Sequence, residues 1–453
     1  MRKFTLSALA LAAALIAFPV NAQEPPAVGA PASPAALEQA GWWHALGDPV
    51  LSALIVQGLD GNLDIEQAQA RIHRSRALLA GARADFGPSG SIGLHGRAAQ
   101  ASETEAPGLG RGERRSQSVA AALEFSWEVD LFGRLGHQAG SAAHRVLASQ
   151  AQLRGARLAV SAEIANAYFA LTGSREQLEL ARTVAANREA TLRLVAARAS
   201  GGLAAPVDEL RARADLEAAL ADIPVHEAAA RVAVHRLAVL TGRSPADFTL
   251  PTAGTTTPSA VSIALPDSDA WLAQRPDVQE LEAELRARAL DVKAVRAEFY
   301  PRLTFSGLLG FVAGSVSAIG TAGSLSWLSA PSLLAPLFDR PRIEARLAAA
   351  KAGQKEALAA YRQRLLLATE ELENALARYG SGQQQFHNLQ RRTQLASQAE
   401  RLSRVRYEAG AADLLELLDA QRTAQQAQVA LSAALTQQRQ NLVAVFRGMG
   451  AGA

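Results

Sequence analysis

A stretch of alternating apolar and polar or small residues lies between Val119 and Val129. Every second position is apolar, namely Val119, Ala121, Leu123, Phe125, Trp127 and Val129. The intervening positions are Ala120, Ala122, Glu124, Ser126 and Glu128. This length matches a tilted membrane-spanning strand, which needs roughly 9 to 11 residues. The pattern predicts a strand whose apolar face, with its aromatic pair, suits a lipid interface. The alternative is a soluble hairpin with one wet face.

Three further segments follow the same alternation, which predicts two hairpins at about 88–130 and 301–335. The segment 89–97 carries Ile92 and Leu94 on one face. The second hairpin is indicated by alternation at Leu303, Phe305, Gly307, Leu309 and Phe311, and then at Leu325 and Trp327. Four strands cannot close a membrane barrel, because hydrocarbon does not tolerate open edges and about eight strands are the lower limit for one chain. Several chains must therefore share one barrel if these strands span a membrane.

A heptad repeat of apolar residues follows each predicted hairpin. The first series is Ile164, Leu171, Leu178, Ala185 and Leu192, and the second is Leu358, Leu365, Leu372, Tyr379 and Phe386. Sustained heptads predict coiled-coil-like packing of long helices. A helix from about Arg134 to Ala199 would be on the order of 100 Å long. Each long helix is expected to end at a glycine turn, at Gly201-Gly202 or Gly410, giving helical hairpins at about 134–242 and 340–448.

The first predicted helices precede the first hairpin. A helical pattern begins near Leu37, with interruptions at Gly47-Asp48-Pro49 and at Gly58 to Gly61. It then runs from Asn62 to about Asp85, and Asn62 is the expected N-cap because its side chain can accept from the first-turn N–H groups.

The chain repeats itself. Arg83-Ala84-Asp85-Phe86-Gly87-Pro88 recurs 213 residues later as Arg296-Ala297-Glu298-Phe299-Tyr300-Pro301. Further on, Leu131-Phe132 recurs as Leu337-Phe338, and Gly202 recurs as Gly410. The repeat is too long for a solenoid unit of about 20 to 50 residues. It indicates two fused halves, 37–242 and 271–450, joined by a linker at 243–270 that is rich in Pro, Thr and Ser.

Residues 1–22 have the pattern of a cleaved signal peptide. Arg2 and Lys3 precede a short apolar run, and Val20-Asn21-Ala22 resembles a small-residue cleavage site. A membrane anchor is the alternative. Residues 23–36 are rich in Pro and Ala and are expected to be extended. No other segment reaches the roughly 18 apolar residues of a transmembrane helix.

Composition excludes several classes of function. The chain has no cysteine, which excludes a disulfide framework and a thiol nucleophile. Loss of residues 1–22 would lower the formal net charge from +3 to +1, since two basic and no acidic residues lie there. We therefore expect no nucleic-acid partner. His137 and His144 could share a helix face but lack a third ligand, so no metal site is predicted. No catalytic constellation or cofactor motif is present, and an enzyme is not expected.

The duplicated plan of helix, strand pair and long helical hairpin resembles the outer-membrane efflux protein family, the TolC/OprM-like outer membrane factors of Gram-negative bacteria. The resemblance covers nearly all of the predicted mature chain. Matching segments are Gln274-Arg275-Pro276-Asp277-Val278, the junctions at Phe86-Gly87-Pro88 and Phe299-Tyr300-Pro301, and Arg406-Tyr407-Glu408-Ala409-Gly410 with 414–420.

This resemblance implies an α+β membrane protein that works as a homotrimer. Three protomers would share a twelve-stranded β-barrel in outer-membrane lipid and a long α-helical barrel in the periplasm. The implied function is an exit duct that exports drugs or other toxic small molecules. Its partners would be a periplasmic adaptor (membrane fusion) protein and an inner-membrane pump of the resistance-nodulation-division type. Many relatives carry a lipidated cysteine, and this cysteine-free chain departs from that pattern. A duct for type I protein secretion and a structural periplasmic coiled-coil protein are the alternatives.

The resemblance also implies a periplasmic gate built from carboxylates. Glu416 and Asp419 match the family's gate acids, and their i, i+3 spacing puts both on one helix face. Three copies would give six carboxylates around the pore, and such a ring favours cations. The alternative is that both are solvated acids near a helix start, where the helix dipole favours negative charge.

A gate lock is implied at the same tip. Asp208 and Tyr407 match an aspartate and a tyrosine that bond to each other in the family. An arginine two residues after the tip glycine completes this lock in relatives, and Ala412 stands there in this chain. The alternative for Asp208 is that it only caps its helix.

Overall fold

The computed structural model describes residues 41–251 and 270–450. A short 3-10 turn, Trp42–Leu46, comes before the first α-helix. The helices are α1 (Pro49–Gly61), α2 (Leu63–Ala84), α3 (Arg134–Ser200), α4 (Pro206–Leu240), α5 (Ala270–Gln274), α6 (Pro276–Ala297), α7 (Arg340–Glu408) and α8 (Leu414–Met449). The strands are β1 (Ser89–Gln100), β2 (Arg115–Val129), β3 (Arg302–Ala313) and β4 (Leu325–Leu334). The predicted signal peptide, the segment 23–36, the predicted helix start near Leu37 and most of the predicted linker lie outside the described residues.

The four strands form one antiparallel sheet in the order β1-β2-β3-β4. Ile92 lies opposite Leu123, Leu123 opposite Leu309, and Leu309 opposite Trp327. Because side chains alternate along a strand, these residues share one side of the sheet, which we call the apolar face. Glu124 and Ser126 lie on the other side, the polar face, together with Ser91 and Ser306. The alternation expected between Val119 and Val129 therefore falls within β2, as predicted.

Two of the strands extend beyond the apolar alternation that predicted them. β2 begins at Arg115, and its partner β1 continues to Gln100, which pairs with Arg115. Backbone hydrogen bonds extend a ladder without regard to side-chain polarity, so alternation marks only the two-faced centre of a strand.

The long helices form two antiparallel hairpins, α3 with α4 and α7 with α8, and α3 also packs on α6 and α8. α3 has 67 residues and α7 has 69, so each is on the order of 100 Å long. All ten heptad residues are buried or half-buried. No helix within the described residues is both long enough and apolar enough to cross a membrane.

The first helices bury a core where α1, α3, α4 and α8 meet. Trp42, Ile164 and Phe446 are among its buried members, and the rings of Trp42 and Phe446 stack at 5.3 Å. The expected interruption at Gly47-Asp48-Pro49 is confirmed, because Asp48 caps α1 there. The interruption expected at Gly58 to Gly61 falls at Asn62, because α1 runs through Gly58 and ends at Gly61, and α2 begins at Leu63. A Cβ at Gly58 would overlap Ile164 Cδ1, so a larger residue here would force the buried Ile164 side chain to move.

Candidate functional site

Both helical hairpins turn at glycines with positive φ, Gly202 at +73° and Gly410 at +74°. Leu203 N donates to Arg198 O and Ala411 N donates to Arg406 O, each at 2.8 Å. These six-to-one bonds are those of a Schellman turn, which satisfies the last carbonyls of a helix. The two tips therefore end in the same way, 208 residues apart in sequence.

The second tip places Glu416 and Asp419 at the start of α8. Asp413 caps the helix, accepting from Glu416 N at 2.8 Å. Three leucines at the start of α8, Leu414, Leu417 and Leu418, are buried in a small cluster with Val195, Ala212 and Tyr407. Burial of that stripe leaves the opposite side to the acids, so Asp419 is exposed and Glu416 half-buried. The structure thus sets both predicted gate acids on one helix face.

The surroundings of these two acids differ. Glu416 Oε1 lies 2.7 Å from Arg406 Nη1 and forms an ion pair. Asp419 has no hydrogen bond or ion pair within the described part of the protomer. It lines an open cleft of about 320 Å³ between α4 and α8, together with Asp215 and the guanidinium groups of Arg211 and Arg422.

The predicted lock residues lie at the same tip but make separate contacts. Asp208 Oδ2 accepts from Ala205 N at 3.3 Å, and Oδ1 lies 3.7 Å from Arg211 Nη1. Asp208 therefore caps α4, which was the alternative interpretation of this residue. Tyr407 is buried, and burial raises its pKa above the ordinary value; the charge of Arg198 opposes this rise and that of Asp208 adds to it. Among the described residues, Asp208 and Tyr407 share no hydrogen bond.

Arg198 joins the two hairpins, a role that the sequence analysis missed. Its Nη1 donates to Tyr407 O at 2.6 Å, and its guanidinium carbon lies 4.7 Å from the centre of the Tyr407 ring. The contact links the end of α3 to the end of α7. A sequence signal existed, because Arg198 and Arg406 each lie four residues before a turn glycine.

A buried arginine forms a second link between the hairpins, nearer their middle. Arg188 donates from Nη1 to Gln421 Oε1, and the same nitrogen lies 3.6 Å from Asp215 Oδ2. Gln421 Nε2 in turn donates to Thr191 Oγ1 at 3.1 Å. Burial lowers the pKa of Arg188, while the nearby charges of Asp215 and Glu400 oppose that effect. This network connects α3, α4 and α8. Its sequence signal was the position of Arg188, three residues after the heptad residue Ala185 and seven before the apolar Val195.

The Arg-Pro-Asp segment has a structural role at the start of the second repeat. Arg275 is buried and donates from Nη1 to Gly448 O at 2.7 Å and from Nη2 to Glu371 and Asp277, each at 2.7 Å. Arg364 Nε also donates to Asp277, at 2.8 Å. Burial tends to raise the pKa of Asp277, but the hydrogen bonds and charges of the two arginines outweigh it and hold that pKa below its ordinary value. The segment fastens α6 to α7 and to the end of α8.

Within the described ranges, no group of three or more His, Asp or Glu side chains is arranged to hold an ion. The tips instead combine carboxylates and guanidinium groups on facing helix ends. Paired charges of opposite sign can hold neighbouring helices together, and unpaired charges at the tips can attract or repel ions in solution.

Comparison with known proteins agrees with this architecture. The sequence profile described as "Outer membrane efflux protein" matches residues 54–243 and 268–451. Outer membrane protein OprJ of Pseudomonas aeruginosa is 31% identical over 423 residues, covering 92% of this chain and 87% of OprJ. Pyoverdine export outer membrane protein OpmQ of Pseudomonas putida is 30% identical over 440 residues, covering 96% of this chain and 92% of OpmQ.

A solved structure extends the similarity to three dimensions. The outer-membrane channel OprN superposes with a TM-score of 0.85 at 34% identity, covering 91% of this chain and 92% of OprN. The predicted fold class, of four strands per protomer continuing into long helical hairpins, is therefore confirmed. Sequence profile, relatives and superposition agree over both halves, and the chain belongs to the outer membrane efflux protein family.

Proposed function

We propose that three copies of this chain form the exit duct of a tripartite efflux system. A pump of the resistance-nodulation-division type in the inner membrane would supply small molecules, and a periplasmic adaptor protein would join the pump to the hairpin tips. The observation that carries this proposal is the sheet, which has one apolar face and is continuous with two helical hairpins. Within the described residues its two outer strands, β1 and β4, each have an unpaired edge. An open edge is costly in lipid, so further copies must pair with it.

Small molecules are the proposed cargo because the relatives' names point to them. OpmQ is named for pyoverdine export, and TtgF of Pseudomonas putida is named as an outer membrane component of a toluene efflux pump. A deletion strain should become more susceptible to amphipathic drugs or solvents, and the intact gene should restore resistance. Unchanged susceptibility together with loss of a secreted protein would favour the type I secretion duct instead.

The internal repeat specifies how neighbouring protomers would pair. Trp127 of β2 lies opposite Phe305 of β3. The repeat equivalent of Phe305 in the first half is Ile92, which lies 213 residues earlier. The repeat equivalent of Trp127 in the second half is Leu333, because the offset that relates Phe132 to Phe338 also relates these two residues. We therefore expect Leu333 of one protomer to face Ile92 of the next. Both side chains are uncovered in a single protomer, at 65% and 82% exposure.

The helical part of the chain supports the same pairing. Phe132 stacks on Tyr300 at 4.7 Å within the protomer. Its repeat equivalent, Phe338, has no such cover and is 95% exposed. A second copy would place its first repeat against this aromatic ring, as the second repeat covers Phe132 here.

Cysteine cross-linking in native membranes tests the trimer directly, because the chain has no thiol of its own. A variant carrying Leu333→Cys and Ile92→Cys should give linked trimers with a short bifunctional reagent. The control pairs Leu333→Cys with Gly96→Cys, further along β1 on the same face, and should link poorly. Products no larger than dimers, or equal linking of both pairs, would contradict the proposed assembly.

The tip acids are the proposed gate of this duct. In a trimer, Glu416 and Asp419 would place six carboxylates around the periplasmic mouth. We expect the closed duct to prefer cations and to be blocked by multivalent cations. Replacing both acids with Ala should remove most of the selectivity and block in planar bilayers with little change in trimer yield. If both properties survive, the constriction lies elsewhere.

The lock between Asp208 and Tyr407 remains a proposal, supported by their shared tip and by the effect of the Asp208 charge on Tyr407. A bond formed on trimer closure would be worth roughly 0.5–1.5 kcal/mol. Tyr407→Phe should then raise leak conductance modestly, and Asp208→Ala should add little in that background. Fully additive effects would mean that the two residues do not interact.

A further inference from the structure

The two hairpin tips carry equivalent residues with different chemistry. A shift of 208 residues, from Gly202 to Gly410, relates Arg198 to Arg406 and Asp208 to Glu416. The same shift relates Ala205, which cannot cap a helix with its methyl group, to Asp413. Each tip therefore has an arginine before the turn and an acid after it.

In the first tip the acid is engaged in capping. The carboxylate of Asp208, at the third position of α4, accepts from Ala205 N at 3.3 Å. Arg198 bonds outside its own hairpin, donating to Tyr407 O of the second hairpin at 2.6 Å.

In the second tip the side chain of Asp413 caps α8. Asp413 Oδ1 accepts from Glu416 N at 2.8 Å, and the Glu416 carboxylate bonds to Arg406 rather than to the Asp413 backbone. Arg406 stays within its own hairpin, donating from Nη1 to Glu416 Oε1 at 2.7 Å and from Nη2 to Ala411 O at 3.2 Å. Arg406 thus spans the turn and forms an ion pair with Glu416.

We propose that Arg406 sets the ion selectivity of the gate by compensating the charge of Glu416. The acid of the proposed gate that has no ion pair within the described part of the protomer is then Asp419. Its cleft also holds Arg211 and Arg422, but these two arginines pair with Asp208 and Asp215. A closed trimer would present three uncompensated carboxylates at its mouth. This inference rests on the proposed gate.

The Arg406–Glu416 pair is suited to such a role because it is accessible. The two side chains are 57% and 39% exposed. Exposed ion pairs are weak and are screened by salt, so this pair can open without disturbing the fold. Movement of Arg406 toward any other acceptor would return the charge of Glu416 to the pore.

Single-channel recordings in planar bilayers under a KCl gradient test the assignment. Arg406→Gln removes the charge but keeps a hydrogen-bond donor, and it should raise the K⁺ over Cl⁻ permeability ratio by a factor of about 2, since uncompensated carboxylates double. Arg406→Lys retains the charge and should give a smaller rise. The control is Arg401→Gln, an exposed arginine on the same helix without an ion pair in the described structure, and it should not alter selectivity.

Two acid variants complete the experiment. Asp419→Asn should reduce cation selectivity more than Glu416→Gln does, and adding Glu416→Gln to Arg406→Gln should cancel most of the rise. If Glu416→Gln reduces selectivity as much as Asp419→Asn while Arg406→Gln changes nothing, the role of Arg406 is refuted and the gate stands. A rise of equal size in Arg406→Lys would also refute it. If the two acid replacements combined leave selectivity intact, the gate itself is refuted, and this inference with it.

Discussion

Asn62 and Arg275 occupy equivalent positions in the two repeats and make equivalent bonds with different side chains. Asn62 Nδ2 donates to Leu240 O at 2.9 Å, and Arg275 Nη1 donates to Gly448 O at 2.7 Å. Each acceptor lies at the end of the helix that returns from the hairpin of the same repeat. In each repeat, one side-chain hydrogen bond therefore joins the start of a helix before the strands, α2 or α6, to the end of the last helix, α4 or α8.

The two bonds differ in what surrounds them. Asn62 also caps α2, because its Oδ1 accepts from Asp64 N at 2.9 Å and from Ile65 N at 3.3 Å. Arg275 makes no cap of this kind and instead joins a network with Asp277 and Glu371. The first repeat is thus closed by a neutral amide and the second by a charged cluster, so we expect their stabilities to respond differently to pH and salt.

Asn62→Ala should destabilise the first repeat. It removes the cap of α2 and leaves the buried Leu240 carbonyl without its donor, and the expected cost is about 1–3 kcal/mol. Thermal unfolding of the detergent-purified protein, followed by the helical circular dichroism signal, measures the effect. Asn374→Ala replaces an exposed asparagine on α7 and should change the melting temperature little. Equal shifts in the two variants would argue against a stabilising role of the hydrogen bond between Asn62 and Leu240.

Asp277→Asn should destabilise the protein at neutral pH, by about 1–3 kcal/mol, because a hydrogen-bonded ion pair becomes a neutral contact. The native pKa of Asp277 lies below its ordinary value, so its contribution is present above the unfolded pKa of about 3.9 and is lost as pH falls through the native pKa. The difference in melting temperature from wild type should therefore stay nearly constant from pH 7 to about 5 and shrink as the pH falls below about 4.

The control for this experiment is Glu373→Gln, an exposed acid on α7 without an ion pair in the described structure. Its melting temperature should follow that of the wild type at every pH. A difference for Asp277→Asn that stays constant down to low pH would show that the carboxylate charge of Asp277 does not stabilise its network with Arg275 and Glu371.

Neighbouring leucines on β3 test which side of the sheet faces lipid. Leu309 lies opposite Leu123 on the apolar face, and Leu308 lies opposite Glu124 on the polar face. Leu309→Arg should cost about 2–4 kcal/mol in the membrane and reduce the amount of assembled, heat-resistant protein. Leu308→Arg should assemble, because the new cation would face water and Glu124. Similar losses in both variants would contradict the assignment of the two faces.

Arg198→Gln should loosen the contact between the two hairpins. It removes the charged donor to Tyr407 O and the cation–π contact, together worth about 1–3 kcal/mol. We expect higher leak conductance in planar bilayers with unchanged strand assembly. Arg193→Gln is the matched control, since Arg193 is 72% exposed and its ion pair in the described structure is with Glu189 of its own helix. A leak that rises equally in both variants would exclude a specific role for Arg198.

Most of the architecture could be predicted from the sequence, because it depends on periodicity. Alternation across Val119 to Val129 predicted β2, and heptads predicted α3 and α7, since a two-residue or seven-residue period matches the geometry of one backbone conformation. Asn62 was correctly predicted as a cap because capping is local. The continuation of α1 through Gly58 was not predicted, because it depends on packing against Ile164 of another helix.

The candidate site was less predictable, because its contacts join residues far apart in sequence. Sequence alone placed Glu416 and Asp419 on one helix face, as spacing requires. Only the tertiary structure decided that Arg406 pairs with Glu416, that Asp208 caps α4, and that Arg198 and Arg188 join the hairpins. Periodicity determines which face of a helix a side chain occupies. Which charged group meets which across a tip depends on how long side chains reach between packed helices, and that geometry exists only in the folded chain.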